Sequence, residues 1–314
     1  MEKIKLYKTD LNVSRINLGG NVFGWTLNEQ QSFEILDAFV EAGGNFIDTA
    51  DAYGWWTGRL GISETIIGNW MKSRRNRKEM VIATKVGSEL SHSTSPNLSA
   101  EHIARSSEQS LKRLQTDYID LYYTHFDDEF TPIDVTLEAY NRLVKAGKVR
   151  HIGASNISPR RLKESFQCSW ENNFPPYIAL QPHYNLLERK NYEMTYAPIA
   201  EEFNLSVFPY FSLASGFLTG KYRSKADIGK SIRGGVAEMY LNQKGLSLLD
   251  TLDIISAKHG ATPATVALSW LLHQDHIMAP IASATDKQQL KAIIAAPSLK
   301  LDSVDLNWLD AHNR

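Results

Sequence analysis

Four side chains that can move a proton or polarise a carbonyl group lie at, or just after, the ends of short apolar runs. Asp48 ends NFID, Tyr53 lies five residues further on in FIDTADAYG, Lys85 ends MVIATK and His125 ends IDLYYTH. Each run has the length and composition of a β-strand. In a barrel of alternating strands and helices, the strand ends and the loops after them meet at one rim, where such barrels perform chemistry. The four residues are therefore predicted to share one site.

The four residue types fit proton transfer to a carbonyl oxygen. A tyrosine hydroxyl, with a pKa near ~10, can donate to an oxygen that is gaining negative charge. A nearby lysine ammonium would lower that pKa, and an aspartate would keep the lysine charged. Asp48, Lys85 and Tyr53 therefore fit a relay, while His125 could orient the carbonyl and stabilise an oxyanion. Taken singly, each residue also has an ordinary structural interpretation, as an exposed carboxylate, an extended surface lysine, a packed tyrosine or a hydrogen-bonded histidine.

Eight apolar runs alternate with segments of helical periodicity along the whole chain. This pattern predicts an α/β fold, a parallel (β/α)8 TIM barrel with an outer ring of helices, formed by residues 1–314 as one domain. An open doubly wound sheet is the alternative. A turn signal at Lys8-Thr9-Asp10 predicts a β-hairpin that covers the barrel bottom. The predicted barrel strands begin at Ile16, Asn45, Met80, Ile119, Val149, Tyr177, Leu205 and Ile277.

Helices are predicted between and after these strands. Residues 221–244 form a segment that is too long for an ordinary connection and rich in Gly, Lys and Arg, which is typical of functional or mobile loops. The predicted helices run from Glu29 to Ala42, Ser63 to Arg74, Ser99 to Leu114, Thr136 to Ala146, Pro159 to Trp170, Glu188 to Phe203, Leu246 to His259, Pro263 to Leu272 and, as the last one, Asp286 to Ala295.

Composition limits the partners that the protein is expected to have. With 34 basic and 35 acidic residues the net charge is −1, so no global field attracts nucleic acid or an anionic membrane. Cys168 is the single cysteine, as a reducing compartment permits. The first residues contain no apolar core of a signal peptide, and no run approaches the ~20 apolar residues of a membrane span. We expect a cytoplasmic protein that binds a small molecule, with a monomer as the default.

Several segments resemble the motifs of the aldo-keto reductase family, in the same order and over nearly the whole chain. FIDTADAYG resembles the segment that carries the catalytic Asp and Tyr, ATKVG the one with the Lys and THFDD the one with the His. GKVRHIGASNIS, LQPHYNLLER and PYFSLASGFLTGKY resemble later motifs. The resemblance implies hydride transfer from a reduced nicotinamide cofactor to an aldehyde or ketone, with Tyr53 as the proton donor. It also implies an alternative, a nicotinamide-binding regulatory subunit of the potassium-channel β-subunit type.

The resemblance further implies where the cofactor binds. Ser155, Asn156 and Gln181 would hydrogen-bond the nicotinamide amide, Tyr210 would stack on its ring, and backbone amides with Lys221 would hold the pyrophosphate. Asn and Gln side chains can satisfy both groups of a carboxamide, and an aromatic face orients a planar ring. Two structural alternatives exist. Ser155-Asn156 could form a turn that caps the helix starting at Pro159, and Tyr210 could be a core residue at a strand end. The full set of implied cofactor contacts is Ser155, Asn156, Gln181, Tyr210, Phe211, Ser212, Leu213, Ala214, Gly216, Leu218, Lys221, Ser283, Thr285 and Gln289.

The adenosine end of the implied cofactor site departs from the family pattern. Ser283, Thr285 and Gln289 are uncharged where the NADPH-preferring segment carries basic residues, and Asp286 adds a negative charge. Lys287 could compensate, and the helix that begins near Asp286 offers free backbone amides to an anion. NADPH is expected on family grounds, with NADH as the alternative.

Aromatic side chains in or beside the rim loops could line a substrate pocket. These are Trp25, Trp55, Trp56 and Phe126. Such a pocket would favour apolar or aromatic carbonyl compounds over sugars, although tryptophans in loops also act as packing lids. No metal site is expected, because His273 and His276 have no evident third ligand.

Overall fold

The computed structural model describes residues 1–88 and 96–312, which contain a two-stranded antiparallel hairpin and eight parallel strands. β1 (Lys3–Lys5) pairs with β2 (Asn12–Ser14) across the predicted turn. The hairpin and all eight predicted strands are confirmed, although most strands are shorter than their apolar runs. The barrel strands are β3 (Asn17–Gly19), β4 (Phe46–Asp48), β5 (Val81–Val86), β6 (Ile119–Thr124), β7 (Val149–Ser155), β8 (Tyr177–Gln181), β9 (Ser206–Val207) and β10 (Ile281–Ala282).

Within the described residues, the barrel strands close into a ring. Parallel pairing connects them in the order β10, β3, β4, β5, β6, β7, β8 and β9. The two edges then meet through backbone bonds, because the Val207 amide donates to the His276 carbonyl and the Met278 amide donates to the Val207 carbonyl, both at 3.0 Å. A closed parallel ring is the predicted TIM barrel, so the open doubly wound alternative is wrong.

Helices surround this ring, and most lie within three residues of their predicted bounds. No helix within residues 1–88 and 96–312 is long and apolar enough to cross a membrane. The α-helices of these ranges are α1 (Glu29–Glu41), α2 (Ile62–Arg74), α3 (Ala100–Leu114), α4 (Ile133–Lys145), α5 (Pro159–Asn172), α6 (Ala197–Phe203), α7 (Gly234–Ala237), α8 (Gln243–His259), α9 (Pro263–Leu272), α10 (Lys287–Ala295) and α11 (Ser303–Ala311).

Two helices depart in part from their predictions. The helix predicted from Glu188 to Phe203 begins two residues later, at Lys190, because the Asn185 side chain accepts bonds from the Leu187 and Glu188 amides, and a π-helical turn (Tyr192–Tyr196) interrupts it before α6. Pro198 explains that turn, because it has no amide with which to continue an α-helical ladder. The helix predicted as the last one is followed by α11, whose polar first turn obscured its periodicity although Asp302 forms a capping box there.

The helix starts follow ordinary capping chemistry. Asn28, Ser99, Ser158 and Thr262 each accept a hydrogen bond from a backbone amide in the first turn of the following helix. Because Ser158 caps α5, the capping alternative for Ser155-Asn156 is wrong. The end of β7 is thereby free for another role.

Apolar side chains fill the barrel interior and seal its lower end. Phe46 and Phe208 meet edge to face inside the ring, with their centroids 5.1 Å apart, next to the buried Tyr123. Leu6 and Leu11 of the hairpin segment belong to the same buried cluster. The hairpin therefore covers the bottom of the barrel, as predicted. A larger cluster packs the outer faces of the strands against the helices.

An ion-pair network ties the hairpin turn to the barrel. Arg150 contacts Asp10 of the turn and the buried Asp120 of β6, each at 2.5 Å. Arg77 contacts the same Asp120 at 2.8 Å. These contacts hold the hairpin over the bottom of the barrel. The opposite end, where the strands finish, is therefore the open one.

Candidate active site

The four candidate residues lie together at the open mouth of the barrel. Asp48 is the last residue of β4, Lys85 is the penultimate residue of β5 and His125 directly follows β6. Ala83 and Tyr123, two residues before Lys85 and His125, belong to the cluster inside the ring. Side chains that alternate along a strand therefore point Lys85 and His125 inward at the rim, as predicted.

Lys85 connects the candidate residues through all of its donors. Its ammonium donates to Asp48 Oδ2 at 2.5 Å, to the Thr49 carbonyl at 2.7 Å and to the Tyr53 hydroxyl at 3.1 Å. The other oxygen of Asp48 accepts a bond from the Gln181 amide at 2.9 Å. An ammonium has three N–H groups, so each has an acceptor and the fully buried side chain is held in one position.

The protonation states follow from burial and from the neighbouring charges. Burial raises the pKa of Tyr53; Lys85 lowers it as expected, but the net pKa lies above its ordinary value. Burial lowers the pKa of Lys85, whereas Asp48 and Tyr53 raise it by more. At neutral pH the site therefore holds a phenol beside an ammonium.

His125 is a neutral imidazole beside Tyr53. Burial, and then the charge of Lys85, hold its pKa well below the ordinary value. Its ring centroid lies 6.1 Å from that of Tyr53, and its backbone amide donates to the Val86 carbonyl at 2.8 Å. The buried Nδ1 atom has no hydrogen-bond partner among the described residues. A neutral ring can still donate one N–H to a carbonyl oxygen.

The four residues assigned to the nicotinamide form one network. Asn156 has a left-handed φ of 46°, and its amide nitrogen donates to the His125 carbonyl at 2.8 Å. Its amide oxygen accepts from the Tyr210 hydroxyl at 2.8 Å. Ser155 donates to the Gln181 carbonyl at 2.9 Å. These side chains come from three adjacent segments of the ring and border the site on one side.

A loop with unusual backbone follows β9. It contains all the residues assigned to the pyrophosphate, and the amides of Ala214, Gly216 and Leu218 already donate to carbonyls inside it. The Lys221 side chain lies against Gly216 of this loop. A Cβ atom placed on Gly216 would be 3.2 Å from the ammonium nitrogen of Lys221. Residues with left-handed backbone in the loop are Phe211, Ala214, Ser215, Gly216 and Gly220. The assigned residues are Phe211, Ser212, Leu213, Ala214, Gly216, Leu218 and Lys221.

The residues assigned to the adenosine end bond to one another around α10. The Gln289 side-chain oxygen accepts from the Thr285 amide and hydroxyl, both at 3.1 Å. Asp286 caps α10 and accepts from the Gln289 amide at 2.8 Å and from its side chain at 2.6 Å. Ser283 donates to Asn21 at 2.7 Å. A carboxylate therefore occupies the helix N-terminus that would attract a phosphate.

The aromatic residues assigned to the substrate pocket surround Tyr53 and His125. Trp56 has its ring 6.3 Å from that of Tyr53 and 5.4 Å from that of Trp25, and it lies edge-on to Trp55 at 6.2 Å. Phe126 lies 5.0 Å from His125. The structure thus brings all four to the same rim.

Three residues at the site were missed by the sequence analysis. Arg233, from the long connection 221–244, places its guanidinium over Trp25, and no carboxylate of the described residues pairs with it. His183 stacks on Tyr210 with centroids 5.3 Å apart. Thr49 supplies a carbonyl to Lys85. Only Arg233 had a sequence signal, the basic composition of its loop, because the other two act through tertiary packing or the backbone.

Comparison with known proteins shows similarity over nearly the whole chain. Residues 15–314 match the model of the aldo/keto reductase family. The uncharacterized oxidoreductase YrpG of Bacillus subtilis is 36% identical, over 99% of this chain and 95% of that protein. The aryl-alcohol dehydrogenase GME11368 of Pestalotiopsis microspora is 31% identical, over 96% of this chain and 79% of that protein. A probable voltage-gated potassium channel subunit beta of Oryza sativa subsp. japonica is 31% identical, over 97% of this chain and 95% of that protein.

The buried ion pair should affect stability in a characteristic way. Replacing Lys85 with Met should lower the free energy of unfolding by about 3–5 kcal/mol, because the Asp48 carboxylate stays buried without its cation. Adding Asp48→Asn to that variant should restore part of the loss. Urea unfolding monitored by tryptophan fluorescence and circular dichroism measures both effects.

The exposed pair between Glu138 and Arg142 is the matched control. Arg142→Met should cost under about 1 kcal/mol, since exposed pairs contribute little. A Lys85→Met variant as stable as Arg142→Met would contradict the buried pairing.

Proposed function

The chain belongs to the aldo/keto reductase family and is an NAD(P)H-dependent oxidoreductase of carbonyl compounds, and from that premise we propose that Tyr53 donates the proton in its reaction. The bound cofactor supplies the hydride. Tyr53 gives its hydroxyl proton to the carbonyl oxygen of an aldehyde or ketone, which leaves as an alcohol. Solvent then restores the proton to the phenolate.

The arrangement of Lys85 carries this proposal. Because the ammonium donates to the Tyr53 oxygen, the hydroxyl proton of Tyr53 is directed away from Lys85. The same ammonium stabilises the phenolate when the proton leaves, and Asp48 keeps the lysine charged. Neutral His125 then donates an N–H to the carbonyl oxygen and orients it towards Tyr53.

The polar network beside the site suits a nicotinamide amide. Asn156 and Gln181 offer both donors and acceptors, and Ser155 lies between them. Burial raises the pKa of Tyr210 to about 12, so its ring is a neutral phenol that can stack on a planar ring. These four residues would hold the cofactor next to Tyr53.

The loop after β9 suits a pyrophosphate. Its left-handed residues make a concave backbone turn, a shape that binds anions. Lys221 lies beside the turn, and none of the described carboxylates forms an ion pair with it. Those backbone amides between Ser212 and Leu218 that do not already bond to carbonyls of the loop would complete the contact.

We assign NADPH as the preferred donor, with NADH also accepted. Family membership supports NADPH, whereas the Asp286 carboxylate at the start of α10 repels a 2′-phosphate. The pKa of Asp37 is lowered first by its hydrogen bond from Arg74 and, to a smaller extent, by the charge of Lys287, so Lys287 already has a carboxylate nearby. The advantage of NADPH over NADH should therefore be small.

The aromatic rim supports an aryl aldehyde or ketone as the substrate class. Trp25, Trp55, Trp56 and Phe126 offer aromatic faces next to Tyr53 and few polar groups for a sugar. The relative named as an aryl-alcohol dehydrogenase points to the same class. We propose a monomer, because the ring of strands closes within one chain. We also propose a cytoplasmic location, which the single cysteine permits.

The relative named as a potassium channel subunit keeps a regulatory role open as a second candidate. A regulatory subunit would bind cofactor tightly and turn over slowly, whereas an enzyme would complete many cycles per site. The absorbance of NADPH and NADH, followed against several aldehydes, separates the two.

Replacing Tyr53 with Phe should lower kcat by about 10²–10⁴, because the proton donor is lost while the ring stays in place. Cofactor binding, measured by quenching of tryptophan fluorescence, should change little. Tyr7→Phe, at the other end of the barrel, is the control with normal turnover. Full activity in the Tyr53 variant would refute the assigned donor.

Replacing Asp286 with Ser should raise the preference for NADPH over NADH by about tenfold in kcat/KM, since about 1.4 kcal/mol of repulsion is removed while a capping oxygen remains. Asp302→Ser is the control, as Asp302 is likewise an N-cap whose side chain accepts from the amide three residues on, in α11. An equal change in both variants would show that the cap, and not the phosphate, is responsible.

Replacing Trp56 with Ala should raise KM for benzaldehyde by about fivefold, because one aromatic contact is worth about 1 kcal/mol. KM for a short aliphatic aldehyde should change little. Trp170→Ala is the control, since that side chain is 85% exposed on α5. Equal increases for both aldehydes would argue against an aryl pocket.

A further inference from the structure

A further buried carboxyl group, that of Asp51, lies behind the active site. Asp48 points into the barrel, whereas the next side chain, Thr49, contacts Ser63 of α2 at 2.8 Å on the outer side. Two residues further on, Asp51 is also buried on that outer side, and its amide donates to the Lys85 carbonyl at 3.3 Å. Asp51 is thus linked to the lysine of the site through the backbone.

The charges around Asp51 are already balanced without it. Asp48 pairs with Lys85 at 2.5 Å, and the buried Glu64 pairs with Arg113 at 2.7 Å. The other Glu64 oxygen accepts from the Thr84 hydroxyl at 2.6 Å. Among the described residues no cation pairs with Asp51, and its buried Oδ1 has no hydrogen-bond partner.

An unpaired carboxylate in this position is costly, which favours the protonated form of Asp51. Burial, and then the charge of Glu64, raise the pKa of Asp51 to about 8, although Arg113 and Lys85 act against this. Tyr122 and Tyr140 also face it, but burial holds both of their pKa values far above 10, so both remain neutral.

We propose that Asp51 is a positioning residue for Lys85 and Tyr53, which acts as a neutral carboxylic acid behind the site and reduces turnover when it ionises. Asp51 begins the turn that carries Tyr53, whose amide donates to the Ala50 carbonyl at 3.1 Å. Loss of its proton places a negative charge behind Lys85 that competes with the Tyr53 oxygen for the ammonium. The effect on turnover rests on the proposed function, whereas the protonation state does not.

Stability against pH tests the protonation state without any reaction. The unfolded chain ionises Asp51 near 3.8 and the folded chain near 8, so the folded protein loses stability as pH rises between these values. Asp51→Asn has no such proton to lose. The melting temperature of the unmodified protein, minus that of Asp51→Asn, should therefore fall steadily from about pH 5 to about pH 8 and then level off.

Asp117→Asn is the matched control, because Asp117 is an exposed carboxyl before β6. The melting temperature of the unmodified protein, minus that of Asp117→Asn, should stay constant over the same pH range. A pH-independent difference for Asp51→Asn would show an ionised Asp51 and overturn the proposal.

Turnover against pH tests the positioning role. The kcat of the unmodified enzyme should fall as pH rises past about 8, whereas Asp51→Asn should match it at neutral pH and keep its activity beyond that point. Equal alkaline decline in both proteins would overturn the positioning role. If neither turns over any aldehyde, the proposed function fails, and the melting experiment still decides the state of Asp51.

Infrared spectroscopy of the unmodified protein serves if Asp51→Asn does not fold. A protonated carboxyl group has a C=O stretching band distinct from that of a carboxylate. Loss of such a band with a midpoint near pH 8 would support the proposal, and no loss of any such band between about pH 6 and about pH 9 would overturn it.

Discussion

The contact between the Lys85 ammonium and its three acceptors is the interaction on which the site depends. It holds Asp48, Thr49 and Tyr53 in one arrangement, and it places a fixed cation next to the phenol. A buried ammonium is tolerable only when every donor is satisfied and an anion is close by. The same requirement that makes the core stable therefore also builds the proton donor of the proposed reaction.

The barrel supplies the geometry that this contact needs. Parallel strands close into a ring, so β4, β5 and β6 end at one mouth and their inward side chains meet there. On the outer side of the strand ends, the buried Asp51 lies near the ion pair that the buried Glu64 of α2 forms with the partly exposed Arg113 of α3. Polar groups therefore lie on both the inner and the outer side of the same strand ends. For this reason, loss of a proton by Asp51 on the outer side can affect Lys85 on the inner side.

Local chemistry and tertiary packing contributed differently to what could be predicted. The eight strands, the hairpin and most helix starts follow from periodicity and from capping residues such as Ser158. The π-helical turn before α6 and the existence of α11 were not predicted, because their signals depend on one proline and on a polar first turn. The position of Arg233 over Trp25 was not predicted either, because the path of its loop is set by packing and not by local sequence.

The sequence by itself determined the barrel, the four residues at its mouth and the family, because strand periodicity and motif order are local properties of the chain. Only the tertiary structure decided the protonation states and the partners. Burial raises the pKa of Tyr53 despite Lys85, Asp286 occupies the start of α10, and Asp51 pairs with no cation of residues 1–88 and 96–312. Each of these depends on desolvation and on charges that lie far apart in the sequence, which no local pattern records.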